Sequence, residues 1–85
     1  MARRHKLFEP VEIIVEHQPA RAHILNISST GALVHSAMPP ATGASVKIKL
    51  LGTECAAHVV WSAASRFGVS FDTSIAERVL GAMLR

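Results

Sequence analysis

The chain has a single cysteine, Cys55, among its 85 residues, so it can close no disulfide of its own and must hold together by side-chain burial alone. That usage fits a reducing compartment. Aromatic rings are scarce too. Phe8, Trp61, Phe67 and Phe71 are the four, and a mainly aliphatic core is expected. No apolar run approaches the roughly 20 residues that a membrane helix needs, and the opening Met1-Ala2-Arg3-Arg4-His5-Lys6 leads into no signal-peptide core. The expectation is a soluble chain without membrane insertion. Asp72 is the sole aspartate, no carboxylate pair convinces, and Cys55 stands among alanines with no base beside it. Catalytic residues are therefore expected to be absent, and the chain is read as a non-enzyme. His5, His17, His23, His35 and His58 are scattered singly, without the paired spacing of zinc ligands, so no metal site is expected. The glycines follow no phosphate-loop pattern.

What is present describes one small ordered domain. A hydrophobic share of 49% against 18% charged residues excludes a disordered tail. A chain of this size buries only roughly 60–65% of the surface its unfolded form exposes, which leaves no room for a deep enclosed active site. The net charge is +3, but Arg3, Arg4 and Lys6 crowd the start while Glu9, Glu12 and Glu16 follow. Residues 1–10 thus read as a basic arm, which favours an anionic partner such as a phosphate or a nucleic acid. A solvated, frayed terminus has the same composition.

Period-two alternation then predicts strands. Val11, Ile13 and Val15 share one side of residues 11–15, with Pro10 marking the start. Turn residues over 17–20 lead to a second strand over 21–27 with Leu25 and Ile27 inward, and residues 31–35 form a third. Pro39, Pro40 and Gly43 break the ladder. Residues 45–50 set Val46, Ile48 and Leu50 against Ser45, Lys47 and Lys49. Beyond the Leu51-Gly52 turn, strands over 54–61 and 66–71 follow, with Phe67, Val69 and Phe71 packing on Val59 and Trp61. Ser74 and Glu77 have capping-box spacing, and Ile75, Val79 and Met83 recur every four residues, which predicts a helix over 74–84 that Arg85 suits at its end. Leu80 and Leu84 either pack on the barrel or form an exposed apolar strip. The fold class is all-β: a six-stranded antiparallel barrel over residues 11–71 with a short C-terminal helix.

The stretch Leu25-Asn-Ile-Ser-Ser-Thr-Gly-Ala-Leu-Val34 organises the rest. Asn26 and Ser28 can bond back to nearby backbone N–H groups, and Gly31 can take a positive φ. If Ile27 faces the core, Asn26 and Ser28 both turn outward beside a glycine whose backbone can be approached closely, and a small polar recess results. An ordinary hydrogen-bonded turn is written with the same residues.

Asn26-x-Ser28-x-x-Gly31, the basic arm, and the late segment with Trp61, Gly68 and Phe71 together resemble a PilZ domain. That family carries an N-terminal R-x-x-x-R and a later [D/N]-x-S-x-x-G on a six-stranded barrel with a C-terminal helix, and it binds the bacterial messenger cyclic di-GMP. The resemblance implies a receptor or adaptor in the bacterial cytoplasm, with cyclic di-GMP as ligand, no cofactor, and a partner protein that it cannot name. Carried over, Arg3 or Arg4 grips the ligand, Asn26 contacts a guanine, and Ser28 with Gly31 shapes the recess. The second arginine is missing. Leu7 stands there if Arg3 is the first, and Phe8 if Arg4 is. Losing one bidentate arginine contact costs roughly 1–3 kcal/mol, and Lys6 can restore charge but not the planar fork. Hence a receptor of weakened affinity is expected, with a ligand-blind PilZ adaptor as the alternative. A barrel binding single-stranded nucleic acid through Lys47, Lys49 and exposed aromatics stands below both, because the pattern puts the aromatics mostly inside.

Overall fold

Six strands form in the order β1 His5–Val15, β2 Gln18–Ile27, β3 Gly31–His35, β4 Ser45–Leu50, β5 Thr53–Ser62 and β6 Arg66–Phe71, and one helix follows, α1 Glu77–Met83. The computed structural model describes residues 3–84; Arg85 lies outside them. All neighbouring strands are antiparallel, and the order β1-β2-β3-β6-β5-β4 closes where β4 returns to β1 with Ile13 opposite Ile48. Closure through Ile13–Val15 joins the two end strands of the sheet and shortens its exposed edge, leaving the β4 side of residues 5–12 outside the ladder.

Alternation places the core as expected along β4: Val46, Ile48 and Leu50 are buried while Ser45, Lys47 and Lys49 are exposed. Phe67, Val69 and Phe71 of β6 fill the same interior against Ile24, Ile27 and Val59. Outside, Lys49 Nζ meets Glu12 at 2.9 Å and Lys47 Nζ meets Glu54 at 3.9 Å. The hydrogen bond to Glu12, and its charge, hold the Lys49 ammonium above its usual pKa. Such exposed pairs fix little stability, but they neutralise the outer surface of β4.

Several local expectations give way to the tertiary structure. The strand expected over 11–15 reaches back to His5 and absorbs much of the expected arm, Pro10 included. Since β4 pairs only with Ile13–Val15, the missing N–H of Pro10 breaks no ladder on that side. The first hairpin turns at Glu16-His17 rather than over 17–20, with both φ positive (51° and 66°) and Val15 opposite Gln18. This two-residue geometry matches strand twist better than a longer loop, at the cost of holding two non-glycine residues in the left-handed region. In β2 a register shift between Ile24 and Asn26 inserts Leu25, so Ala22, Ile24 and Ile27 are buried and Leu25 is not. Trp61, expected inside, is 43% exposed.

The helix is shorter than expected. Ala76 is its N-cap, with an extended backbone and no side-chain cap, so the Ser74–Glu77 capping box does not form. The reason is tertiary: the Ile75 N–H is tied to the Ser29 carbonyl at 2.7 Å, and Ile75 itself is buried, which keeps the chain extended up to Ala76. Leu80 and Leu84 pack against the core together with Val79 and Met83. No exposed strip of the two leucines results.

Removing a buried phenylalanine costs about 3–5 kcal/mol, and a domain this small holds little more than that in reserve. Phe71→Ala should therefore lose its cooperative melting transition near room temperature, whereas Lys47→Ala, which breaks only a long exposed ion pair, should melt with the parent. Equal melting temperatures in a thermal denaturation series would refute this placement of the two faces.

Candidate ligand-binding site

Register shifts interrupt the barrel at three places: between Lys6 and Glu9 in β1, between Ile24 and Asn26 in β2, and between Val59 and Trp61 in β5. A bulge inserts an extra residue and re-aims its neighbours. Around these shifts a row of residues runs across the outer wall, Lys6 beside Asn26, Asn26 beside Leu33, Leu33 beside Gly68, and Gly68 beside Trp61. A Cβ on Gly68 would run into the indole of Trp61, so the bare glycine is what lets that ring settle on the wall. Arg4, Asn26, Leu33, Val60, Trp61 and Gly68 line a recess of about 220 Å³ there.

Arg4 Nη1 donates to Asn26 Oδ1 at 2.7 Å. The guanidinium has donors only, so this contact sets the orientation of the Asn26 amide: its oxygen faces Arg4 and its NH₂ is left for another acceptor. Lys6 pairs with Asn26 in the register of the neighbouring strands and brings its positive charge to this part of the wall. Among the described residues no carboxylate lies within ion-pair distance of Arg4 or Lys6, in contrast to Lys47 and Lys49. The recess thus offers donors and positive charge beside an aromatic plane. The matching ligand presents acceptors, as a phosphate does, or as a guanine does with O6 and N7.

Of the residues expected to form the site, Arg4 and Asn26 meet, and Arg3 is exposed and takes no part in their contact. Ser28 is corrected. Instead of facing outward beside Asn26 it is 2% exposed, and its Oγ accepts the N–H groups of Thr30 and Gly31 at 3.3 and 3.2 Å. Gly31 is corrected as well. Its φ is not positive; glycine is needed because a Cβ there would sit 2.5 Å from the Val69 carbonyl oxygen on β6. The two residues build the turn that carries Asn26. Leu33, Val60 and Trp61 also line the recess; the first two face outward by alternation, whereas Trp61 was hidden from it because the β5 bulge reverses the phase there. The glycine opposite, Gly68, was the available signal.

Leu7 packs against the core, while Phe8 is 69% exposed and stacks on His23 with ring centroids 4.5 Å apart. Counting from Arg4, the arginine that reaches Asn26, Phe8 holds the place of the missing second arginine. Elsewhere, burial pushes the Cys55 thiol up from its usual pKa, away from the thiolate that a nucleophile requires. Among the described residues no three His, Cys, Asp or Glu side chains gather to hold a metal ion, and no helix is long and apolar enough to cross a membrane.

Ser28→Ala removes the acceptor of two backbone N–H groups in a buried turn, and it should cost about 1–3 kcal/mol of stability. Gly31→Val should cost at least as much through its clash with Val69. Asn26→Ala, partly exposed, should leave the melting temperature within about 2 °C of the parent. Ser28→Ala melting with the parent would show that the hydroxyl is not what holds the turn.

A family model described as the PilZ domain matches residues 2–85. No curated protein matches the chain. Among solved structures, the Bacillus subtilis inhibitor of motility (MotI/DgrA) is similar to it with a TM-score of 0.70 and 21% sequence identity over 99% of this chain. The chain spans about half of that protein, 47% of its length, and the likeness is one of fold. With the family model running through the barrel and its helix from end to end, the chain belongs to the PilZ domain family.

Proposed function

We propose that this chain is a PilZ receptor for cyclic di-GMP that conveys the level of the messenger to a partner protein in the bacterial cytoplasm, with no catalytic step of its own. The observation that carries the reading is the Arg4–Asn26 contact at 2.7 Å on the rim of a recess backed by Trp61. Arg4 and Asn26 present donors to guanine O6 and N7 or to a phosphate, Lys6 adds charge, and Ser28 and Gly31 hold the turn. The nucleic-acid reading stays below both the receptor and the ligand-blind adaptor: Lys47 and Lys49 are paired with Glu54 and Glu12, and Phe8 and Trp61, exposed although alternation puts the aromatics mostly inside, lie on other strands, β1 and β5.

Coupling has a physical route. The same turn that carries Asn26 accepts the Phe71 N–H on the Thr30 carbonyl and the Ile75 N–H on the Ser29 carbonyl, at 2.9 and 2.7 Å. A ligand that favours one arrangement of the turn therefore shifts the start of α1, provided it binds that arrangement more tightly. The ligand-blind adaptor remains the second reading, and the absence of the second arginine is what favours it.

Calorimetric titration of cyclic di-GMP separates the two. Binding is expected in the micromolar range, weakened in Asn26→Ala by about 1–3 kcal/mol; no heat up to millimolar ligand selects the adaptor. Leu7→Arg should lower the melting temperature without tightening binding, since it drives a charge toward the core rather than into the recess. A gain in affinity at that position would overturn the assignment of Arg4 and Phe8 as the pair.

A further inference from the structure

We propose that Phe8 is a stacking platform for the second base of the ligand, a role that takes the place of the missing arginine fork; this rests on the cyclic di-GMP reading above. Three observations on β1 lead there. Lys6 and Phe8 are exposed while Leu7 between them packs against the core, so Phe8 shares the outer wall with Lys6 and Asn26. The Phe8 ring is large, apolar and 69% exposed, yet it is not loose: it lies on the His23 imidazole at 4.5 Å with planes 14° apart. His23 is itself braced by His35 on the next strand, at 6.4 Å. One face of Phe8 is thereby held and the other is turned to solvent.

A surface phenylalanine pinned in this way is a costly arrangement for a wall that needs no packing there. Its orientation is set in advance, so a planar ring laid on its free face finds a partner that gives up little further motion on binding. The platform stands two residues along β1 from Lys6, whose partner on β2 is Asn26. The Arg4–Asn26 recess with Trp61 takes the first base, the donors of Arg4 and Lys6 take phosphate oxygens, and Phe8 takes the second base. An arginine at this place would read the guanine edge and stack at once. Phenylalanine can only stack, so the second subsite contributes affinity without reading the identity of the base.

The test is calorimetry of cyclic di-GMP with the parent, Phe8→Leu and Phe8→Tyr, with a melting curve for each. Stacking predicts a loss of at least about fivefold in Phe8→Leu, which keeps the apolar bulk but not the plane, and affinity within about twofold of the parent in Phe8→Tyr. The single-base probe 5′-GMP, titrated to millimolar concentration by NMR, should bind the parent and Phe8→Leu equally, because one base needs only the Arg4–Asn26 side. Equal affinity of all three variants for cyclic di-GMP overturns the platform while leaving the receptor reading intact, as does an equal loss in Phe8→Tyr and Phe8→Leu. A parallel loss of 5′-GMP binding in Phe8→Leu, or no binding of 5′-GMP to the parent, overturns the division into two subsites. A parent that binds no cyclic di-GMP removes this proposal together with the one it rests on.

Discussion

The buried hydroxyl of Ser28 is the point on which strands, helix and site all depend. It takes the N–H groups of Thr30 and Gly31 that the tight connection from β2 to β3 leaves without strand partners, and an unsatisfied buried N–H is costly enough that the turn would otherwise open. With the turn closed, Gly31 can lie against the Val69 carbonyl, which seats β3 on β6. The carbonyls of Ser29 and Thr30 then face the chain leaving β6 and accept from Ile75 and Phe71. One hydroxyl thus joins the turn beneath the candidate site to the start of α1.

The barrel wall is regular except around the recess and Phe8. All three register shifts fall beside residues of the recess or the platform next to it: Phe8 in β1, Asn26 in β2, Trp61 in β5. A regular strand must send every second side chain inward. Placing Trp61 outside, against a glycine, therefore requires an extra residue in β5, whereas Phe8 lies on the outer side by ordinary alternation with Leu7. The charge pattern divides in the same way. On the β4 side, lysines are matched by glutamates across strands, while the exposed Arg4 and Lys6 have no carboxylate within ion-pair distance among the described residues and can meet an anionic group with charge-assisted hydrogen bonds.

Much of the fold was legible in the residues. Alternation in Ser45–Leu50 and Arg66–Phe71 assigns both faces correctly, because neither strand carries an inserted residue of its own and the period survives. It fails at Leu25 and Trp61 for one reason: a bulge adds a residue that composition does not mark. It fails at the helix start because a hydrogen bond from Ile75 to a residue 46 positions earlier, Ser29, outweighs a local capping preference of about 1 kcal/mol.

For the site, the sequence by itself determined the type of residues available: one asparagine, one serine and one glycine at a fixed spacing, a cluster of arginines near the start, and no second arginine at either Leu7 or Phe8. It determined the family as well, since those spacings and the late tryptophan, glycine and phenylalanine are properties of the chain order. Only the tertiary structure decided which of them face the recess. Spacing says that Asn26 and Ser28 share a strand face; the closing of the turn rotates Ser28 inward, where its hydroxyl is worth more to the backbone than to solvent. Spacing offers Arg3 and Arg4 alike; the register of β1 on β2 brings Arg4 to Asn26. That Trp61 lies outside follows from the bulged pairing of β5 with β6, which is set by the burial of the whole barrel rather than by any local pattern.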